Sequence, residues 1–143
     1  MKKLLLPFFL LAPVLAFSRA SVAYYPFSSL FAVSTNPNRL VWVDGRLQTN
    51  TIFGLLSTTF CPMVNVSRTE RTNYYVGAGV KITAINALNN DRILDGYSLH
   101  AGVRTAPAPS LPNLRVAFEL SPYAGYNFKS GNFYSYLGVV WQF

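Results

Sequence analysis

The sequence predicts an all-β protein, a closed antiparallel up-and-down barrel, from three observations. Apolar residues make up 51% of the 143 and charged residues only 12%, against about 25% charged in an ordinary soluble domain. No internal apolar run reaches the roughly 20 residues that a membrane helix needs. In the C-terminal half, apolar residues recur at every second position in runs bounded by turn residues, the signature of strands with two unlike faces.

The first element is a leader. MKKLLLPFFLLAPVLAFSRASVA opens on Lys2 and Lys3, continues with an apolar core from Leu4 to Phe17, and ends in small residues. This is the layout of a Sec-type signal peptide. Ser21-Val22-Ala23 is the expected cleavage motif and Ser18-Arg19-Ala20 the second choice, so 1–23 is read as leader and 24–143 as one domain. Removing Lys2, Lys3 and Arg19 leaves nine basic against five acidic residues, a net charge of +4. That mild excess, with no basic run, argues against nucleic acid as a partner.

Four segments alternate clearly. YYVGAGVKIT sets Tyr74, Val76, Ala78, Val80 and Ile82 against Tyr75, Gly77, Gly79, Lys81 and Thr83. GYSLHAGVRT sets Tyr97, Leu99, Ala101 and Val103 against Ser98, His100, Gly102 and Arg104. LRVAFELSPY sets Leu114, Val116, Phe118 and Leu120 against Arg115, Ala117, Glu119 and Ser121. The final run sets Phe133, Leu137, Val139, Trp141 and Phe143 against Tyr134, Tyr136, Gly138, Val140 and Gln142. Asn36-Pro37-Asn38, SRTERTN, Asn89-Asn90-Asp91, APAPSLP and Lys129-Ser130-Gly131 are the breaks between segments. RLVWVDGRLQ and TIFGLLSTTFCPMV are strand-like with blurred alternation, and YYPFSSLFAVST reads as a strand or a lead-in. That makes seven segments, whereas membrane barrels have an even number. Eight strands of about ten residues with connections of about five suit the length; six strands plus a lead-in is the alternative.

The polar faces place the barrel in a membrane. They are rich in Gly, Ser, Tyr and Ala and carry isolated charges, Lys81, Arg104, Arg115 and Glu119. A solvated face carries many more. A crowded lumen needs small residues and paired charges, with the apolar faces outward against lipid, and only a closed barrel satisfies every backbone group there. Tyr74, Tyr123, Tyr126, Phe128, Phe133 and Tyr134 cluster near predicted strand ends, where aromatic rings favour the membrane boundary. Pro122 falls near a rim, where a lost ladder bond is tolerable.

The tail YSYLGVVWQF resembles the terminal strand of bacterial outer-membrane β-barrel proteins, with Phe143 last and Trp141, Val139 and Leu137 at alternate positions before it. Ser135 departs from the pattern and Phe133 resumes it. The resemblance implies recognition of this strand by the barrel-assembly machinery, closure against the first strand and outer-membrane lipid as surroundings; a monomer is the expected state, which nothing in the sequence fixes. Small barrels of the OmpA/OmpX type are nearest in size.

An eight-stranded barrel is filled by side chains, so a wide pore is not expected. The first functional expectation is a structural or interaction barrel whose external turns lie near Asn89–Arg92 and Asn127–Gly131. The second is a lipid-modifying enzyme similar to lipid A deacylases, using Ser98, His100 and Glu119 as nucleophile, base and acid. These lie on the lumenal face, and a lipid hydrolase must present them to the bilayer. The third is an exported soluble barrel holding a small apolar ligand. Lys81, Arg104, Arg115, Glu119 and His100 are expected to form a lumenal network in which Glu119 meets Arg104 or Arg115. Metal and cofactor sites are not expected: His100 and Cys61 are single and far apart. Gly77-Ala78-Gly79 reads as small lumenal packing, and Asn65-Val66-Ser67 fits a glycosylation pattern of little weight in a bacterial protein.

Overall fold

YYPFSSLFAVST, ambiguous in the sequence, forms two strands and the turn between them. In the computed structural model, which describes residues 19–50, 57–84, 86, 89 and 91–143, β1 spans Ser21–Tyr25 and β2 spans Leu30–Ser34. Pro26, with no N–H and a fixed φ, ends β1. A 3-10 turn follows at Pro26–Ser28, and Ser29 reverses the chain in the left-handed region at φ 46°. This hairpin is the strand missing from a seven-segment reading. Residues 1–18 of the expected leader, the TIFGLL start of the third segment and part of the Asn89–Asp91 break lie outside the described residues.

The remaining strands are β3 (Val41–Gln48), β4 (Ser57–Arg68), β5 (Thr72–Thr83), β6 (Leu94–Thr105), β7 (Leu114–Gly125) and β8 (Gly131–Gln142). Each pairs antiparallel with the next, and β8 pairs with β1, closing an eight-stranded barrel. Following paired residues from Val140 leads through Ala23, Ala32, Arg46, Thr59, Lys81, Gly96 and Gly125. It returns at Ser130, the residue just before β8, whose carbonyl accepts the Gly125 N–H. The circuit therefore climbs ten residues along β8. That stagger makes the strands tilt and, for eight strands, leaves an interior just wide enough for side chains.

The two faces of each strand separate cleanly. Gly138, Val140 and Gln142 are buried inside, whereas Leu137, Val139, Trp141 and Phe143 are exposed outside. Tyr25, Trp42, Met63, Tyr75, Ala117 and Val140 supply the apolar part of the filling. On the outer wall Val43, Phe60, Val64, Val76, Val80, Leu99, Phe118 and Leu120 stand exposed. Strand lengths are uneven: β1 and β2 have 5 residues each, β4 to β8 have 12. The upper part of β8, Gly131 to Gly138, accordingly rises past the last β1 pair, Tyr24 with Val139.

At the seam between β8 and β1, Gly138 lies against Tyr25. A Cβ there would stand 2.6 Å from the Tyr24 carbonyl oxygen and would meet the Tyr25 ring as well. Because the backbone oxygen cannot step aside, Gly138→Val is expected to lower stability by about 1–3 kcal/mol, the cost of overpacking. Denaturant unfolding, read as the loss of the compact band on an unboiled gel, measures it, and an unchanged midpoint refutes the packing account.

Candidate functional site

β3 begins the site. Along VWVDGRLQ, Trp42, Asp44 and Arg46 alternate into the lumen while Val41, Val43, Gly45 and Leu47 turn away. Arg46 crosses the lumen to Glu119 on β7, four strands around a ring of eight and so on the opposite wall. Its guanidinium makes a forked pair, Nη1 to Oε1 at 2.6 Å and Nη2 to Oε2 at 2.8 Å. Its Nε donates to Asp44 Oδ2 at 2.9 Å. The planar fork matches the planar carboxylate in a way that a lysine ammonium cannot.

Glu119, fully buried, also accepts from the Tyr75 hydroxyl at 2.8 Å and from His100 Nδ1 at 2.8 Å. A carboxylate facing Arg46 only accepts, so the contact places the imidazole proton on Nδ1. The 3.2 Å approach of Arg46 Nη1 to His100 Nδ1 is then two donors converging on one oxygen. His100 Nε2, on the other side of the ring, lies 2.8 Å from Ser98 Oγ and 3.3 Å from Cys61 Sγ. Gly79 leaves the room for this meeting: a Cβ there would stand 2.8 Å from Cys61 Sγ and 2.9 Å from His100 Nε2. Ser98, His100 and Glu119 thus stand in hydrogen-bonding order, although two residues of one strand with parallel side chains gave no assurance of contact.

A second arginine balances the site. Arg104 lies between the rings of Trp42 and Tyr75, at 4.4 Å and 5.4 Å from their centres. Its Nη1 donates to Ser34 Oγ at 3.2 Å and Ser21 Oγ at 3.4 Å, and Nη2 lies 3.8 Å from Asp44 Oδ2. Ser34 Oγ in turn donates to Asp44 Oδ1 at 2.7 Å. Two guanidinium groups and two carboxylates, each almost wholly buried, therefore offset each other in the lumen, as buried charge requires.

The expected partners of Glu119 are corrected by this arrangement. Arg104 serves Asp44 and the two serines. Arg115 sits nearer the mouth at the chain termini and donates to the Arg71 carbonyl at 3.3 Å. The cation on Glu119 is Arg46, which the blurred alternation of β3 concealed. Lys81 stands apart from the central network, paired with Asp95 at 3.0 Å and half-exposed. Asn65, the candidate glycosylation residue, points inward, accepts from Trp42 Nε1 at 3.3 Å and donates to the Pro37 carbonyl, so its amide is unavailable for attachment. Among the described residues no group of three metal-ligating side chains occurs.

Above the network the lumen holds a cavity of about 50 Å³ bounded by Arg46, Lys81, Ser98, His100, Ser121 and Tyr136, among others. That volume holds a few waters. Below it the Arg46–Glu119 bridge spans the bore.

The network generates a stability prediction. Arg46→Met leaves Asp44 and Glu119 buried without their shared cation and is expected to cost about 3–5 kcal/mol. Arg46→Met combined with Glu119→Gln should recover part of that loss, because the worst unpaired charge is gone. Denaturant unfolding of both variants checks the pair, and equal losses would show that the charges do not act together. Comparison of the chain with models of known protein families, with curated proteins and with solved structures found no match.

Proposed function

We propose that the protein is a bacterial outer-membrane barrel with a structural or interaction role, its lumen closed by side chains. One observation carries this reading: the barrel is inside-out by soluble standards. Asp44, Arg46, Arg104 and Glu119 are buried in the lumen, while Val43, Val64, Val76, Leu99, Phe118, Leu137 and Val139 are exposed on the outer wall. A soluble barrel with that wall would present a continuous apolar surface to water, far beyond the patches soluble monomers tolerate. Against hydrocarbon the same wall is at home, and closure leaves no sheet edge around most of the ring.

Aromatic rings add support. Tyr97 stacks on Phe128 at 5.6 Å, and Arg92 lies over the Tyr126 ring at 5.0 Å, near the mouth opposite the termini. Tyr74, Trp141 and Phe143 stand exposed towards the other mouth. Two such girdles suit the two interfaces of a bilayer. The connections at the mouth opposite the termini are 4 (26–29), 8 (49–56), 10 (84–93) and 5 (126–130) residues long, a scale that suits local contacts with the surroundings rather than a broad adhesive surface. The terminal residues Phe143, Trp141, Val139 and Leu137, which face outward together, are the ones the barrel-assembly machinery would read.

A second reading, a lipid-modifying enzyme, is favoured by the Ser98–His100–Glu119 chain. In Ser-His-acid hydrolases such a chain lets the imidazole take the serine proton during attack. Here Ser98 is only 7% exposed and opens into the lumen, away from any acyl chain in the bilayer. Glu119 is already shared among Arg46, Tyr75 and His100. The structural reading is therefore preferred, with the chain serving as part of the filling.

Three outcomes separate the readings. Full-length protein expressed in a Gram-negative host is expected in the detergent-extracted outer membrane, with different gel mobility before and after boiling. Recovery from the soluble periplasm would overturn the membrane reading and favour a soluble barrel that holds an apolar ligand. Deleting Phe143 should sharply reduce outer-membrane levels, and normal levels would remove the assembly role given to the tail. His100→Ala should leave the lipid A profile of the host as the parent protein leaves it; a profile that the parent alters and the variant does not would establish the enzyme.

A further inference from the structure

We propose that the leader is removed after Ala20, so that the mature protein begins at Ser21. This rests on the export reading above and names the processing site that the fold requires. Ser18-Arg19-Ala20 and Ser21-Val22-Ala23 both place small residues at the first and third positions before the cut. Residue type does not separate them, and the barrel does.

β1 starts at Ser21 and closes the ring against β8 through four residue pairs: Ser21 with Gln142, Val22 with Trp141, Ala23 with Val140, and Tyr24 with Val139. A cut after Ala23 removes three of the four. It also removes three of the five pairs that join β1 to β2, those of Ser21, Val22 and Ala23 with Ser34, Val33 and Ala32. Tyr24 and Tyr25 alone would remain before Pro26 interrupts the strand. Two residues cannot hold β8 to β2, and the unpaired edges so created are what a membrane barrel cannot leave open to lipid.

The lumen makes the same demand. Ser21 and Ala23 are buried, at 0% and 1% exposure. Ala23 packs with Ala32 and Val140, and Ser21 Oγ accepts from Arg104, whose Nε and Nη2 have no hydrogen-bond partner among the described residues. Cleavage after Ala23 would take one of the two hydroxyls holding that buried guanidinium.

Ala20 and Arg19 lie outside the ladder. Arg19 is exposed and adopts φ 87°, off the extended path of the strand. Ala20 contributes one backbone bond, its carbonyl accepting the Phe143 N–H at 2.9 Å. Phe143 is 67% exposed at the rim, so water replaces that bond after cleavage.

The test is N-terminal sequencing and intact mass of the mature protein, taken from the outer membrane of a host expressing the full chain. The expected start is Ser-Val-Ala-Tyr-Tyr. A start at Tyr24 overturns this proposal and leaves export intact, whereas a chain that keeps its leader overturns the export reading and this proposal with it. Variants give a second readout. Ala20→Leu should block processing and accumulate precursor, because a large residue fills the last position before the cut. Ala23→Leu should still release a chain beginning at Ser21. The reverse pattern, with Ala23→Leu blocked and Ala20→Leu processed, refutes the assignment.

Discussion

The fork between Arg46 and Glu119 is the contact on which the lumen depends. It joins opposite walls of the ring, and every other polar group in the centre is arranged around one of its ends. Asp44, Ser34 and Arg104 gather at the arginine side; Tyr75, His100, Ser98 and Cys61 gather at the carboxylate side. Such pairs are poor sources of net stability, since the cost of taking two ions from water nearly offsets their attraction. Their effect is on specificity. Glu119 finds its donors only when β3, β5, β6 and β7 hold one stagger, and a slip of one residue would turn those side chains to the outer wall.

That constraint explains why so polar an interior is compatible with so few charges in the chain. Two cations and two anions suffice because the remainder of the bore is taken by rings and small residues. Trp42 and Tyr75 flank Arg104 and shield it with their π faces. Gly77, Gly79, Gly102 and Gly138 mark the places where a large neighbour crosses close to the wall, whether Met63, the Ser98–His100 pair, Tyr75 or Tyr25. The filling is thus a set of paired large and small positions on neighbouring strands.

The sequence revealed the barrel more fully than it revealed the site. β5, β6, β7 and β8 were legible because each carries four or five alternations with little interruption. β1 and β2 were not, because five-residue strands hold too few alternations and Pro26 hides a turn in an apolar stretch. β3 was obscured by Trp42 on the polar face and Gly45 on the apolar one, and with it went Asp44 and Arg46. Parity alone sent Lys81, Arg104, Arg115, Glu119 and His100 to the inner face, where they lie. It could not say which of them meet. Partners across a lumen are fixed by the stagger of the whole ring, and no local pattern around Glu119 points to a residue 73 positions away.

The unequal strands have a kinetic consequence. β7 and β8 share 11 residue pairs in one local hairpin, while β8 and β1 share four, between the two ends of the chain. Local hairpins close small loops and form early; the last junction must bring Ser21 to Gln142 and carries the largest loop-closure cost of any pairing in the ring. Folding therefore finishes where the wall is thinnest in pairs, and opening starts there. The half-lumen network offers a way to hold an unfinished sheet curved until that junction forms, since Arg46 and Glu119 can join across the bore before β1 arrives.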